Sequence, residues 1–230
     1  MTARPSVVLF DVNETLSDLS PLRDRFAQAG APPHLAGTWF ASVLRDGFAL
    51  AAAGASRPFA EVAEGVARTV LAEAGVADLD AGVEQVMAGL QELDVHPDVP
   101  AGVRALRAAG LRLASLTNGS VATSRALFAR AGVDADVEQV LSVEDAGLWK
   151  PARRAYDHAV AACGVPAAEV LLVAVHPWDV DGASRAGLQT AWLDRSGTPY
   201  PGHLRPPDRA ARDLVALAAA LAREGSGSGA

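Results

Sequence analysis

The chain has 230 residues, half of them hydrophobic and a fifth charged, with a formal net charge of −7 and a pI near 5.2. That length supports one large domain or two small ones of ordinary soluble globular composition. The acidic balance argues against duplex binding, which calls for a basic face to displace counterions, and a single cysteine, Cys163, excludes an intramolecular disulfide or a Cys-based zinc site.

The opening "MTARPSVVLF" has too short an apolar stretch for a signal peptide, and no apolar run reaches membrane-spanning length, so a cytoplasmic protein with no nucleic-acid or membrane partner is expected. A β-rich run at 6–11 ends abruptly in Asp11, Asn13 and Thr15. About eighty residues of helical character follow. Pro21 can open one helix, and "PPHLAGTWFASVLRDGFALAAAG" reads as a longer one ending near Gly54. "SRPFAEVAEGVARTVLAEAG" repeats the grammar with Ser56 as cap, Pro58 in the first turn and Gly75 as the stop. Residues 78–93 supply a fourth amphipathic stretch.

After "HPDVP" the rhythm changes. A helix at 100–109 stops at Gly110, and "LRLASLT" (111–117) reads as a strand. Then come the helix "SVATSRALFARAG", the short strand "EQVLS", the helix "PARRAYDHAVAACG" and the strand "EVLLVAV" (169–175). The helix "WDVDGASRAG", the strand "LQTAWL" (188–193) and a last helix at about 208–223 complete the series, and "EGSGSGA" (224–230) reads as a flexible tail. Alternating strands and helices imply a parallel sheet with helices on both faces. The expected fold is therefore α/β, a doubly wound, Rossmann-like core from 1–15 and 96–223, with a helical cap domain inserted at 16–95.

In such a sheet, ligands bind beyond the carboxyl ends of the strands. Four loops there carry Asp11–Thr15, Thr117–Asn118–Gly119, Trp149–Lys150–Pro151 and His176–Pro177–Trp178–Asp179. Singly, each has a plain reading: a turn or cap for Asp11 and "TNGS", a solvated lysine, a dipole-favouring Asp179. Jointly they bring a carboxylate, hydroxyl and amide donors, a cation and a second carboxylate to one edge.

Asp-x-x-x-Thr, then Thr-Asn-Gly, then Lys-Pro, then Asp shortly before "GA" in a helix is an ordered set that resembles the haloacid dehalogenase superfamily over nearly the whole chain. The resemblance implies an Asp11 nucleophile, kept anionic by Lys150, with Thr15, Thr117 and Asn118 donating hydrogen bonds and Asp179 orienting the hydrolytic water. Most members are magnesium phosphatases with a second aspartate two residues after the nucleophile; here that residue is Asn13. Their acidic pair at the fourth loop is also incomplete, since Val175 stands four before Asp179, leaving Asp181 as the substitute.

The chain is more similar to the (S)-2-haloacid dehalogenase subfamily, which implies hydrolysis of short-chain (S)-2-haloacids through an aspartyl ester, no cofactor, no metal and a homodimer. Substrate contacts are then expected from Asn13, Trp39, Phe40, Tyr156, His176 and Trp178. Departures are Asn13 for an aromatic residue, His176 for an asparagine, and Phe40 where an arginine follows the cap tryptophan; Arg45 lies further along. A phosphatase using Asp181, a hydrolase of another electrophilic carbon, and a partner-binding protein with a relic site stand as alternatives.

Overall fold

The computed structural model describes residues 4–226. β1 (Val7–Phe10) is followed by four helices, α1 (Leu22–Gln28), α2 (Leu35–Ala52), α3 (Phe59–Glu73) and α4 (Leu79–Gln91), before any second strand. The remaining elements alternate: α5 (Val99–Ala108), β2 (Arg112–Thr117), α6 (Val121–Arg130), β3 (Gln139–Ser142), the short α7 (Val143–Ala146), α8 (Arg153–Cys163), β4 (Val170–Ala174), α9 (Pro177–Ala186), β5 (Gln189–Leu193), β6 (Arg209–Ala211) and α10 (Leu214–Ser226). The six strands pair in parallel in the order β3-β2-β1-β4-β5-β6, so β1 lies inside the sheet with β2 and β4 on either side. The fold is the doubly wound α/β core with an inserted helical cap.

Side chains alternate across a strand, and β1 shows what that builds. Val8 and Phe10 join Val99, Val103 and Leu106 of α5 and Leu214, Leu217 and Leu221 of α10 on one face. Val7 and Leu9 join Tyr156, Ala159 and Cys163 of α8 on the other, in a cluster that runs on into Leu22, Phe26 and Trp39 of the inserted helices. Burial on both faces explains why β1 and β4 read as unbroken apolar runs.

The insertion leaves and re-enters the core through paired segments: Ser17 bridges Val95, and the Asp18 and His96 N–H groups donate to the Asp94 and Leu16 carbonyls at 2.8 Å each. It is also clamped from above. A Cβ on Gly47 of α2 would lie 2.1 Å from the Trp149 ring, so α2 approaches as closely as a glycine allows. The Trp149 ring stacks on Phe59 at 5.6 Å and its N–H donates to the Arg57 carbonyl at 2.9 Å. Lys150 is thus tethered to the insertion by its own neighbour.

Three boundaries differ from expectation. Ser56 does not cap α3: the helix begins at Phe59 behind Pro58, with no side-chain cap bond, so the Ser56 hydroxyl lies too far upstream to reach the first free N–H groups. The last helix begins at Leu214, not 208, because the Asp208 carboxylate accepts the Thr190 N–H (2.8 Å) and hydroxyl (3.1 Å), laying 209–211 against β5 as a strand. Asp213 then supplies the start signal, accepting the Ala216 N–H at 2.7 Å. The expected tail at 224–230 is helical through Ser226, with Glu224 paired to Arg209 at 2.9 Å; 227–230 lie outside the described residues. No helix among the described residues is long and apolar enough to cross a membrane.

Candidate active site

The carboxyl edge of the sheet gathers side chains that are far apart in the chain. Asp11 follows β1 directly, its N–H continuing the ladder to the Val173 carbonyl at 3.0 Å. Lys150 sits in the loop between α7 and α8, its backbone N–H held by the Asn118 amide oxygen at 3.0 Å. Asp179 lies in the first turn of α9, where Pro177 begins the helix and the positive end of its dipole favours an anion.

The Lys150 ammonium, wholly buried, joins the two carboxylates: Nζ is 2.8 Å from Asp11 Oδ1 and 2.7 Å from Asp179 Oδ2. Burial opposes the charge on Lys150, but Asp11 and Asp179 outweigh it and raise its pKa above the ordinary lysine value. The second oxygen of Asp11 takes two more partners. Thr15 donates to Oδ2 at 2.7 Å, its own oxygen accepting the Val175 N–H at 3.0 Å, and His176 Nδ1 lies 3.0 Å from the same Oδ2. His176 Nε2 is 2.8 Å from the Glu14 carboxylate. With a carboxylate at each nitrogen both nitrogens donate, and the ring is an imidazolium: burial pulls its pKa down, yet the bonds to Asp11 and Glu14 raise it to about 9.

The two aspartates are driven apart. Burial would raise Asp11, but Lys150 and His176 together hold it well below the usual carboxylate range. At Asp179 burial prevails and lifts the carboxyl, Lys150 offsetting it only in part and the Asp11 charge adding to it. Tyr156 donates to Asp179 Oδ1 at 2.6 Å and is itself pushed well up by burial and that charge, so it remains a protonated donor. One carboxylate kept as an anion beside another able to take up a proton is the pattern of paired catalytic acids.

The other expected residues divide. Thr117 makes its hydrogen bond to the Gly119 N–H at 2.9 Å, not to Asp11, and so shapes the turn. Asn13 lines a small pocket of about 80 Å³ together with Thr117 and Gly119. Phe40, 6.2 Å from the His176 ring, and His176 line a cleft of about 610 Å³ between the insertion and the core. Trp178 stacks on His176 at 5.0 Å, meets Phe48 edge-on at 4.9 Å and lies 5.9 Å from Lys150 Nζ.

Two expected substrate contacts are engaged with protein partners. Trp39 has no exposed surface: its indole N–H donates to the Ala63 carbonyl at 2.9 Å and its ring packs on Phe26 and Phe40, so it joins α2 to α3. Tyr156 is equally buried and holds Asp179 instead of walling a pocket; a Cβ on Gly182 would come within 2.6 Å of its hydroxyl. Arg45 is an exposed partner of Asp46 at 2.8 Å.

Glu14, Arg195 and Asp98 were missed by sequence reasoning. Glu14 has a φ of 60°, a conformation that costs a residue with a Cβ about 1 kcal/mol. Arg195 donates to the Thr15 carbonyl at 2.9 Å and pairs with both oxygens of Asp98 at 2.7 and 3.2 Å, pinning the Asp11–Thr15 loop. Arg195 lies two residues past the end of β5, so the carboxyl-edge rule that picked the other loops reaches it. Nothing in "DVNETL" marks Glu14 apart from its polarity.

The donor set does not suit magnesium, a hard ion that needs several free oxygens. Lys150 and His176 already occupy Asp11, and Lys150 and Tyr156 occupy Asp179. Asp181 is held by Arg185 at 2.7 Å and by the Arg205 N–H at 3.0 Å. Among the described residues no group of three or more His, Cys, Asp or Glu side chains is placed to hold a metal ion.

A family model for haloacid dehalogenase-like hydrolases matches residues 5–187. The chain is 28% identical to the (S)-2-haloacid dehalogenase of Pseudomonas sp. (strain YL) over 227 residues, 95% of this chain and 97% of that one. It is 37% identical to haloacetate dehalogenase H-2 of Moraxella sp. (strain B) over 116 residues, a match spanning 50% of this chain and 52% of that one. The L-2-haloacid dehalogenase structure from Xanthobacter autotrophicus superposes with a TM-score of 0.87 at 25% identity, covering 96% of this chain and 99% of that one.

Proposed function

The chain belongs to the haloacid dehalogenase-like hydrolases, and from that premise we propose that it hydrolyses short-chain (S)-2-haloacids at the carbon–halogen bond through an ester on Asp11. The observation that carries this reading is the buried chain Asp11–Lys150–Asp179, at 2.8 and 2.7 Å, with the two carboxyl pKa values displaced in opposite directions. Asp11 is the nucleophile: anionic, aimed by Thr15 and Lys150, and in contact with His176, which lines the cleft. Halide departs with the electron pair of its bond and needs no proton, so Asn13, which has none to give usefully, suffices where an alkoxide leaving group would require an acid.

Asp179, poised to accept a proton, draws one from the water that attacks the ester, and Tyr156 and Lys150 hold it in place. Asn118 fixes the backbone of Lys150, and Thr117 shapes the turn before it. Phe40, which lines the cleft, gives the substrate an apolar wall, Trp178 packs on His176 beside it, and the insertion, 16–95, acts as the cap over them. The buried, single thiol of Cys163 suits a reducing compartment, and a cytoplasmic location is part of the proposal.

A paired assay tests the reaction class. Purified protein in EDTA is expected to release chloride from (S)-2-chloropropionate. Turnover of p-nitrophenyl phosphate only with Mg²⁺, and no chloride release, would overturn the assignment in favour of a phosphatase.

A further inference from the structure

We propose that His176 is a catalytic residue of the ester-cleaving half of this reaction, donating from Nδ1 to the Asp11 oxygen that becomes the oxyanion, and that Glu14 positions it. The inference rests on the covalent reading above. It begins from an inequality between the two oxygens of Asp11. Each carboxylate oxygen has about two lone-pair sites. Oδ2 has both taken, by Thr15 at 2.7 Å and His176 at 3.0 Å, whereas Oδ1 has one partner, Lys150 Nζ at 2.8 Å. The oxygen with a free lone pair is Oδ1, so Oδ1 attacks carbon.

The chemistry then assigns Oδ2. In the first step the Oδ1–C2 bond forms and the C2–halogen bond breaks, halide leaving with its electron pair. Oδ2 is now the carbonyl oxygen of an ester and stays between two donors. In the second step water gives a proton to Asp179 and bonds to Cγ, and the pair of the Cγ–Oδ2 double bond moves onto Oδ2. Collapse breaks Cγ–Oδ1. The 2-hydroxy acid leaves with Oδ1 as its hydroxyl oxygen and takes the proton from Asp179, and Asp11, now a carboxyl built from Oδ2 and the water oxygen, releases the second water proton to solvent and is a carboxylate again. Thr15 and His176 therefore meet the charge where it develops, preset before it appears.

Glu14 keeps His176 facing inward. Its backbone stands at a φ of 60° and its carboxylate lies 2.8 Å from Nε2, so Nδ1 keeps its proton directed at Asp11. The groups around the imidazolium come from several elements. Asp11 and Glu14 touch it directly, and Lys150 and Asp179 stand behind Asp11. Arg195 lies on the Thr15 carbonyl and His96 on the Glu14 carbonyl, 3.0 Å away. The neighbouring rings, Phe40 of α2 and Trp178 of α9, carry no charge.

The test is rapid-quench mass spectrometry of the full chain with (S)-2-chloropropionate, alongside halide release. H176L, which removes the donor, is expected to slow ester cleavage on the order of 100-fold and carbon–halogen cleavage far less, so that alkylated Asp11 accumulates where the wild type shows none. In the wild type, ester cleavage should decline as pH rises through about 9, where the imidazolium loses its proton. E14Q, which leaves Asp11, Thr15 and His176 in place, should move that decline to lower pH, a readout that does not depend on H176L folding. A wild type that releases no halide overturns the parent reading and this one with it. A wild-type halide burst with no adduct in H176L, or an E14Q profile that superimposes on the wild type, overturns the role of His176 alone.

Discussion

Asp11→Asn is expected to fold and to lose halide release by at least about four orders of magnitude, the scale on which removal of a covalent nucleophile is felt. The substitution is nearly isosteric and keeps a carbonyl oxygen for Lys150 or Thr15. It removes the negative charge that Lys150 and His176 are arranged around, and a neutral amide oxygen does not displace chloride at a useful rate. Lys150 retains Asp179 at 2.7 Å, so the buried ammonium is not stranded. The stability cost should stay near 2 kcal/mol, the usual worth of a hydrogen bond to a charged group. Chloride release and a thermal melt on the same preparation check both halves.

Lys150→Met carries the second large effect, on stability as well as rate. Methionine fills the space of the lysine stem but leaves Asp11 and Asp179 buried on either side of an apolar chain. Breaking one partner out of a buried ion pair costs about 3–5 kcal/mol, because the remaining charges lose their compensation. Turnover should fall by about three orders of magnitude or more, since the nucleophile is then held anionic by His176 alone.

The pH dependence of that loss has a definite sign. In the wild type Asp11 is depressed, so its contribution to stability is complete above the unfolded value of 3.8 and disappears as pH falls through the lower folded value. In Lys150→Met, Asp179, already raised in the wild type, rises further, and Asp11 loses its strongest charge partner and rises with it, so the penalty is full at high pH and is relieved as pH falls and they protonate. Denaturant melts at pH 8 and pH 5 should therefore show the larger difference from wild type at pH 8. A difference that is equal at both, or larger in acid, would mean that Lys150 does not neutralise the pair.

The parts of the fold and site that could be read in the sequence are those with a local cause. The run Val7–Phe10 is buried on both faces and stops at a carboxylate, so strand and candidate nucleophile were visible together. Ser120 as a cap, with Gly164 and Gly187 as left-handed stops, marks helix ends by local chemistry alone. What pairs with what is different in kind. Lys150 lies 139 residues from Asp11, and only the order of the sheet, which puts β1 between β2 and β4, makes them neighbours.

The failures have the same logic. A tryptophan on an amphipathic helix reads alike whether its N–H meets a ligand or, as for Trp39, the carbonyl of Ala63 on the next helix. β6 is three residues long and forms because Asp208 fastens it to Thr190 across the sheet, a tertiary cause with no local period. Glu14 adopts a left-handed backbone without being glycine or asparagine, so composition gave no sign of the strain or of the carboxylate it turns toward His176.

The claim that an ester forms on Asp11 is tested most directly by isotope. In a single turnover with excess enzyme in ¹⁸O-water, the heavy oxygen should be found in the peptide bearing Asp11 and be absent from the 2-hydroxy acid, whose hydroxyl oxygen comes from the carboxylate. Heavy oxygen in the product with none in Asp11 would mean that water attacks the substrate carbon directly, and the covalent mechanism would be wrong.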